Sequence, residues 1–156
     1  MESKELITMW NNGLRIRHMA HSIAFTHFKR LDKLTGVVAT VLSAVVGTTV
    51  FASLAKSDNT SLLVIAGSIS VLSTVVISAN SFLKFGELAE RHNQAGASFG
   101  NLRRQLEVDL INSNDTVSLS KEGLQELNVL WSELEKTSPA IPQRIFNKCQ
   151  KIVVPE

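Results

Sequence analysis

LTGVVATVLSAVVGTTVFASLA, residues 34–55, and SLLVIAGSISVLSTVVISANSFL, residues 61–83, hold not one ionisable side chain between them. Coiled at about 1.5 Å per residue, each run is long enough to cross the roughly 30 Å hydrocarbon core of a bilayer. Strands are excluded, because such runs far exceed strand length and isolated strands in lipid leave their backbone polar groups unsatisfied. The residues between them, Lys56-Ser57-Asp58-Asn59-Thr60, allow only a tight turn. The two runs therefore read as an antiparallel transmembrane hairpin that returns both termini to one side. A soluble helical bundle is the competing reading, yet a soluble helix shows charge on its outer face at a 3.6-residue period, and neither run does.

The 44% hydrophobic content and net charge of +2 conceal a chargeless middle between two charged arms. Lys29, Arg30 and Lys33 precede the first crossing and Lys84 and Arg91 follow the second, whereas the turn carries only Lys56, offset by Asp58. By the positive-inside rule both termini face the cytoplasm. The expected organisation is one domain over residues 1–156, all-α. It comprises a cytoplasmic helix at 1–33, transmembrane helices at 34–55 and 61–83, and a cytoplasmic helical region at 84–156. Cys149, the single cysteine, has no internal disulfide partner and reads as a small buried apolar residue. The first apolar run starts late and is too long for a signal h-region, so it is expected to stay in the mature protein.

The first arm reads as one helix with Ser3 as N-cap and Leu6, Trp10, Leu14, Arg17, His21, Ala24, Phe28 and Leu31 at three- and four-residue steps. Arg17 and His21 interrupt that stripe. They are either partners for acidic groups on another helix or a solvated edge with the Arg17 stem snorkelling. The basic residues of this arm also allow it to lie on the membrane surface. His18, His21 and His27 lack the cysteine or spaced carboxylate that would complete a metal site.

In the first crossing Gly36, Ala39, Ser43 and Gly47 share a face, with Ser43 and Gly47 in small-xxx-small spacing, which marks the packing face of the hairpin or of an oligomer. In the second, Gly67, Ser70, Thr74, Ser78 and Ser81 form one stripe, with Ser73 and Asn80 beside it. That stripe either packs by interhelical hydrogen bonds or lines a water-filled path through Ser70, Thr74, Ser78 and Ser81. Two crossings cannot enclose a pore, so the second reading requires a homo-oligomer.

From Lys84 onward Phe85, Leu88, His92, Ala95, Phe99, Leu102, Leu106 and Leu110 keep a heptad-like rhythm, and the second crossing is expected to continue into this helix without a break. Gly86, Gly96 and Gly100 each weaken it by up to about 1 kcal/mol relative to Ala, which implies close packing against the first arm. His92, on the apolar seam, reads as a hydrogen-bonded core histidine. Asn112-Ser113-Asn114-Asp115 ends the helix. Ser120 caps the next, with Leu124, Leu127, Leu130, Trp131 and Leu134 on its apolar face. After the Pro139–Pro142 turn comes a short helix whose Arg144, Lys148 and Lys151 meet anionic lipid, an acidic partner or solvent.

No phosphate-binding glycine loop, Cys/His metal cluster, GxSxG elbow or HExxH occurs, and no charge lies within either crossing. No enzyme activity and no cofactor are expected. A basic patch with interleaved aromatics is also lacking, so no nucleic acid is expected as partner.

Trp10, Arg17 and His21, then Gly36 and Gly47, then Glu90-Arg91-His92, Phe99, Leu102-Arg103-Arg104 and Glu107, and finally Ser138-Pro139-Ala140-Ile141-Pro142, resemble the SLATT proteins. These are two-transmembrane effector domains associated with bacterial nucleotide-sensing conflict systems. The resemblance marks Trp10, Arg17, His21, His92, Arg104 and Glu107 as family-like positions outside the membrane. It implies a membrane effector that perforates or depolarises the inner membrane when a linked sensor detects infection. No nucleotide-binding domain is present in these residues, so the sensor would be a separate soluble protein. The alternative is a non-conducting, membrane-anchored adaptor that recruits a soluble partner through its helices.

Overall fold

The computed structural model describes residues 3–55, 60–112 and 121–155. Among them every element is a helix: α1 (Ser3–Ala55), α2 (Thr60–Leu83), α3 (Phe85–Asn112), α4 (Lys121–Thr137) and α5 (Gln143–Val153). The all-α reading holds. The turn at Lys56–Asn59, the loop beginning at Ser113, the Ser120 cap and the side chain of Ser3 lie outside the described residues.

Continuity falls on the other crossing from the one expected. The first arm and first crossing are a single helix of 53 residues. Residues 28–35 contain no glycine or proline, so the change from polar to apolar composition does not interrupt the backbone ladder. The second crossing instead stops at Leu83. Lys84 turns into the left-handed region with φ 46°, and its N–H donates to the Asn80 carbonyl at 3.0 Å, closing the helix end before α3 starts. Close packing beyond it holds this turn. A Cβ on Gly86 would come within 3.0 Å of Asp32 Oδ1, and Phe85 stacks on Phe28 with centroids 6.4 Å apart.

The chain divides into two compact units, Phe28–Glu87 and Met1–His27 with Leu88–Glu156. The first is the hairpin. Its seam runs along Thr35, Ala39, Leu42, Val46 and Thr49 on α1 and Ala66, Ile69, Ser73, Val76 and Asn80 on α2, buried or half-buried at steps of three and four, with Gly47 half-buried beside it. The Thr35 hydroxyl donates to Asn80 Oδ1 at 2.8 Å, joining the start of one crossing to the end of the other. Outside this seam Val37, Val41, Val45, Val64, Val71, Leu72 and Val75 all stand exposed. A soluble bundle buries such residues; lipid is the solvent that accepts them. Two helical stretches are long and apolar enough to cross a membrane.

The second unit is a bundle with two apolar clusters. Ile7, Leu14, Phe99, Leu102, Leu106 and Leu127 bury against Trp10 and Trp131, joining α1 to α3 and α4. Ile16, Ala20 and Cys149 bury against Ile145, Phe146 and Val153, joining α1 to α5. Cys149 is fully buried as expected, and burial pushes its thiol pKa up despite the opposing pull of Lys148.

Candidate functional site

Within the bundle, α1 approaches α3 where α3 has no side chains. A Cβ on Gly96 would lie 3.4 Å from His21 Cβ, and one on Gly100 would lie 2.8 Å from His18 Nδ1. The gap lets His18 Nδ1–H donate to the Gly96 carbonyl at 2.8 Å. Both glycines thus do what their cost in helix propensity implied.

One turn further along α1, His21 is sandwiched between His92 and Phe99. Its Nδ1 lies 2.9 Å from Nδ1 of His92, and its ring stacks on Phe99 at 5.4 Å with an interplanar angle of 13°. One Nδ1–H donates and the other nitrogen accepts, so the contact tolerates at most one protonated ring. Burial first, then the charges of His92 and Arg17, lower the His21 pKa to about 4; burial also lowers that of His92. The pair is neutral at pH 7. An acidic partner for His21 is therefore not what the fold supplies, whereas His92 is the core histidine expected.

Arg17 does meet a carboxylate. Its guanidinium pairs with Glu135 on α4 and lies over the Trp131 ring, 5.1 Å from the centroid. The Trp131 indole N–H donates to the same Glu135 at 2.7 Å, and Trp10 packs its ring against Trp131 at 6.2 Å in a T-shaped pair. Gly13 completes the knot, since a Cβ there would strike Trp131 Cη2 at 2.6 Å. Arg17, His21, Phe99, Glu135 and the turn from Ser138 to Ile141 line a pocket of about 260 Å³.

Trp10, Arg17, His21 and His92 are thus brought together, and Arg104 and Glu107 are not. Arg104 is exposed and bonds to Asn101 on its own helix, while Glu107 pairs with Arg103 one turn away at 2.7 Å. The partners that sequence reasoning missed are Glu135 and Trp131. Their spacing on α4 shows an apolar face, and nothing in it points to Arg17. Among the described residues no group of three His, Cys, Asp or Glu could hold a metal ion.

In the hairpin, Ser70, Thr74, Ser78 and Ser81 stand exposed with Gly67 on one face of α2, whereas Ser73 is buried in the seam. At 100° per residue that face lies roughly 120° around the helix from the seam. The Thr74 hydroxyl donates to the Ser70 carbonyl at 3.0 Å. On α1 the small face also misses the seam by about a quarter turn. Gly36 and Ser43 are exposed and Gly47 is half-buried, and a Cβ on Gly36, Gly47 or Gly67 meets nothing within 4 Å. These residues do not pack the hairpin internally, because Thr35, Ala39, Leu42, Val46 and Thr49 take that role. Two right-handed helices running antiparallel place both small faces on the same side of the hairpin. Val41, Val45, Leu72 and Val75 crowd the opposite side.

A family model matches residues 16–152, described as SMODS and SLOG-associating 2TM effector domain family 4. The chain belongs to that family. Membership makes it a membrane effector domain of conflict systems with transmembrane helices, and the matched stretch takes in both crossings and every residue lining the Arg17 pocket. Trp10 lies before the match. No curated protein and no solved structure matched the chain.

Proposed function

We propose that this family member is an oligomeric, ion-conducting effector of the bacterial inner membrane, with both termini cytoplasmic and a separate soluble protein as its sensor. The observation that carries this reading is the two-sided hairpin. Gly36, Ser43 and Gly47 of the first crossing and Gly67, Ser70, Thr74, Ser78 and Ser81 of the second lie toward one side of the hairpin, where Leu63 and Ile77 also stand exposed, and Val41, Val45, Leu72 and Val75 lie toward the other. In lipid, small residues allow close helix approach and hydroxyls gain from partners other than acyl chains. Several copies turning that side inward would present Ser70, Thr74, Ser78 and Ser81 to a water-filled path, with Gly36, Ser43 and Gly47 at the contacts between copies.

In this mechanism the partner acts on the bundle and α1 carries the response, since α1 runs unbroken from the bundle into the first crossing while Lys84 interrupts the second. A switch of this kind works when two helix packings are comparable in free energy. Ion flux from liposomes holding the purified chain tests the reading. Wild type should leak and Ser78→Leu should not, with assembly intact; equal leakage from both would remove Ser78 from the path. Two silent proteins, with biological activity surviving exchange of the hairpin for an unrelated one, would assign the adaptor role instead.

A further inference from the structure

Two adjoining depressions of about 280 and 410 Å³ lie between α3 and α4 and share Leu102, Gln105 and Leu130. Together they make a groove along α3 from Ser98 to Asp109 and along α4 from Gly123 to Thr137. At 1.5 Å per residue its α4 wall is about 21 Å long. Leu102, Leu106 and Leu127 form a floor already buried in the bundle, and the apolar surface still open above it is that of Leu130, 39% exposed, and half-buried Leu134. Among the described residues the ionisable side chains of the lining are Asp109, Glu126 and Glu133, all exposed, with no Lys or Arg. The exposed Arg104 bonds to Asn101 of the lining, so one cation stands at the α3 edge against three carboxylates.

An apolar floor under a rim of net negative charge selects a ligand with one apolar stripe between cationic flanks. We infer that the α3–α4 groove docks a basic amphipathic helix of a separate protein. Helix α5 of this chain has that composition, with Arg144, Lys148 and Lys151 on its polar face, but its apolar face is already buried against Ile16 and Ala20. Residues 113–120, which join the two groove helices, contain no Lys or Arg. Neither of these segments supplies the complementary helix. The inference rests on the separate partner of the proposed function and not on conduction, so a silent protein that binds and a leaky one that does not would separate the two.

The test uses the full chain in nanodiscs of zwitterionic lipid, with empty nanodiscs as control. The probe is a labelled synthetic helix of about 18 residues, with leucines along one stripe and lysines on both flanks. Its anisotropy is titrated against wild type and against Glu126→Lys/Glu133→Lys, two exposed positions where reversal leaves the core alone. Binding should weaken at least about tenfold in the variant, and a probe with glutamates in place of lysines should recover affinity for it. No binding to wild type would overturn the inference, as would equal binding to both proteins or equal binding of a scrambled probe. A change in oligomer size in the variant, with probe binding unmoved, would give the groove to a second copy and overturn it too.

Discussion

His21 and His92 share one hydrogen bond in the bundle interior, and both are held neutral there. An unfolded His21 titrates near 6.5 and the folded one near 4, so between those values the unfolded chain binds more protons. The contribution is complete above pH 6.5 and is lost as the pH falls toward 4, on the order of 3 kcal/mol in all. Urea unfolding at pH 7.5 and pH 5 should show wild type losing more stability than His21→Gln; parallel losses would place the acid sensitivity elsewhere. Gly13 offers a second test at this scale. Alanine there should improve helix propensity, yet the Trp131 ring blocks its Cβ, so Gly13→Ala should cost about 1–3 kcal/mol in thermal unfolding. Gly96 and Gly100 were the legible part of this interior, because a glycine inside a helical pattern signals a neighbour, whereas Gly13 was not singled out by its sequence. Glu135 was not, since a partner on another helix leaves no trace in local spacing.

For the helices themselves, two chargeless runs of crossing length could be read directly, but the seam could not: small residues at Gly36, Ser43 and Gly47 suggest a packing face, and Thr35, Leu42, Val46 and Thr49 take that place with Ala39. Nor could the position of the break. Lys84 is neither glycine nor asparagine, and the heptad rhythm of α3 runs on through it, so the left-handed turn there depends on tertiary contacts at Phe85 and Gly86 that sequence does not display. A non-glycine residue in this conformation costs about 1–2 kcal/mol. Lys84→Gly should therefore raise thermal stability by about 1 kcal/mol, and the β-branched Lys84→Ile should lower it. The exposed Lys84–Glu87 contact at 3.4 Å, lost in both, is too weak to reverse that order. Two variants with equal melting temperatures would mean that the turn relaxes freely.

Across the whole molecule, the two sides of the hairpin differ in what they leave for another copy. Each stripe was visible alone; that they share a side was not, because their relation depends on which residues form the seam. If copies meet through the small side, Gly36→Leu and Gly67→Leu should lower the oligomer size seen by native mass spectrometry. Val41→Leu and Val75→Leu on the far side should leave it unchanged. Reversed sensitivity would put the far side at the interface. Cys149 bears on how any of these assemblies is watched. Its sulfur is shut between α1 and α5 and is reluctant to ionise, so thiol-directed dyes and spin labels should pass it by. A cysteine introduced at an exposed site would then be the reactive one, and the native chain can serve as its own unlabelled background.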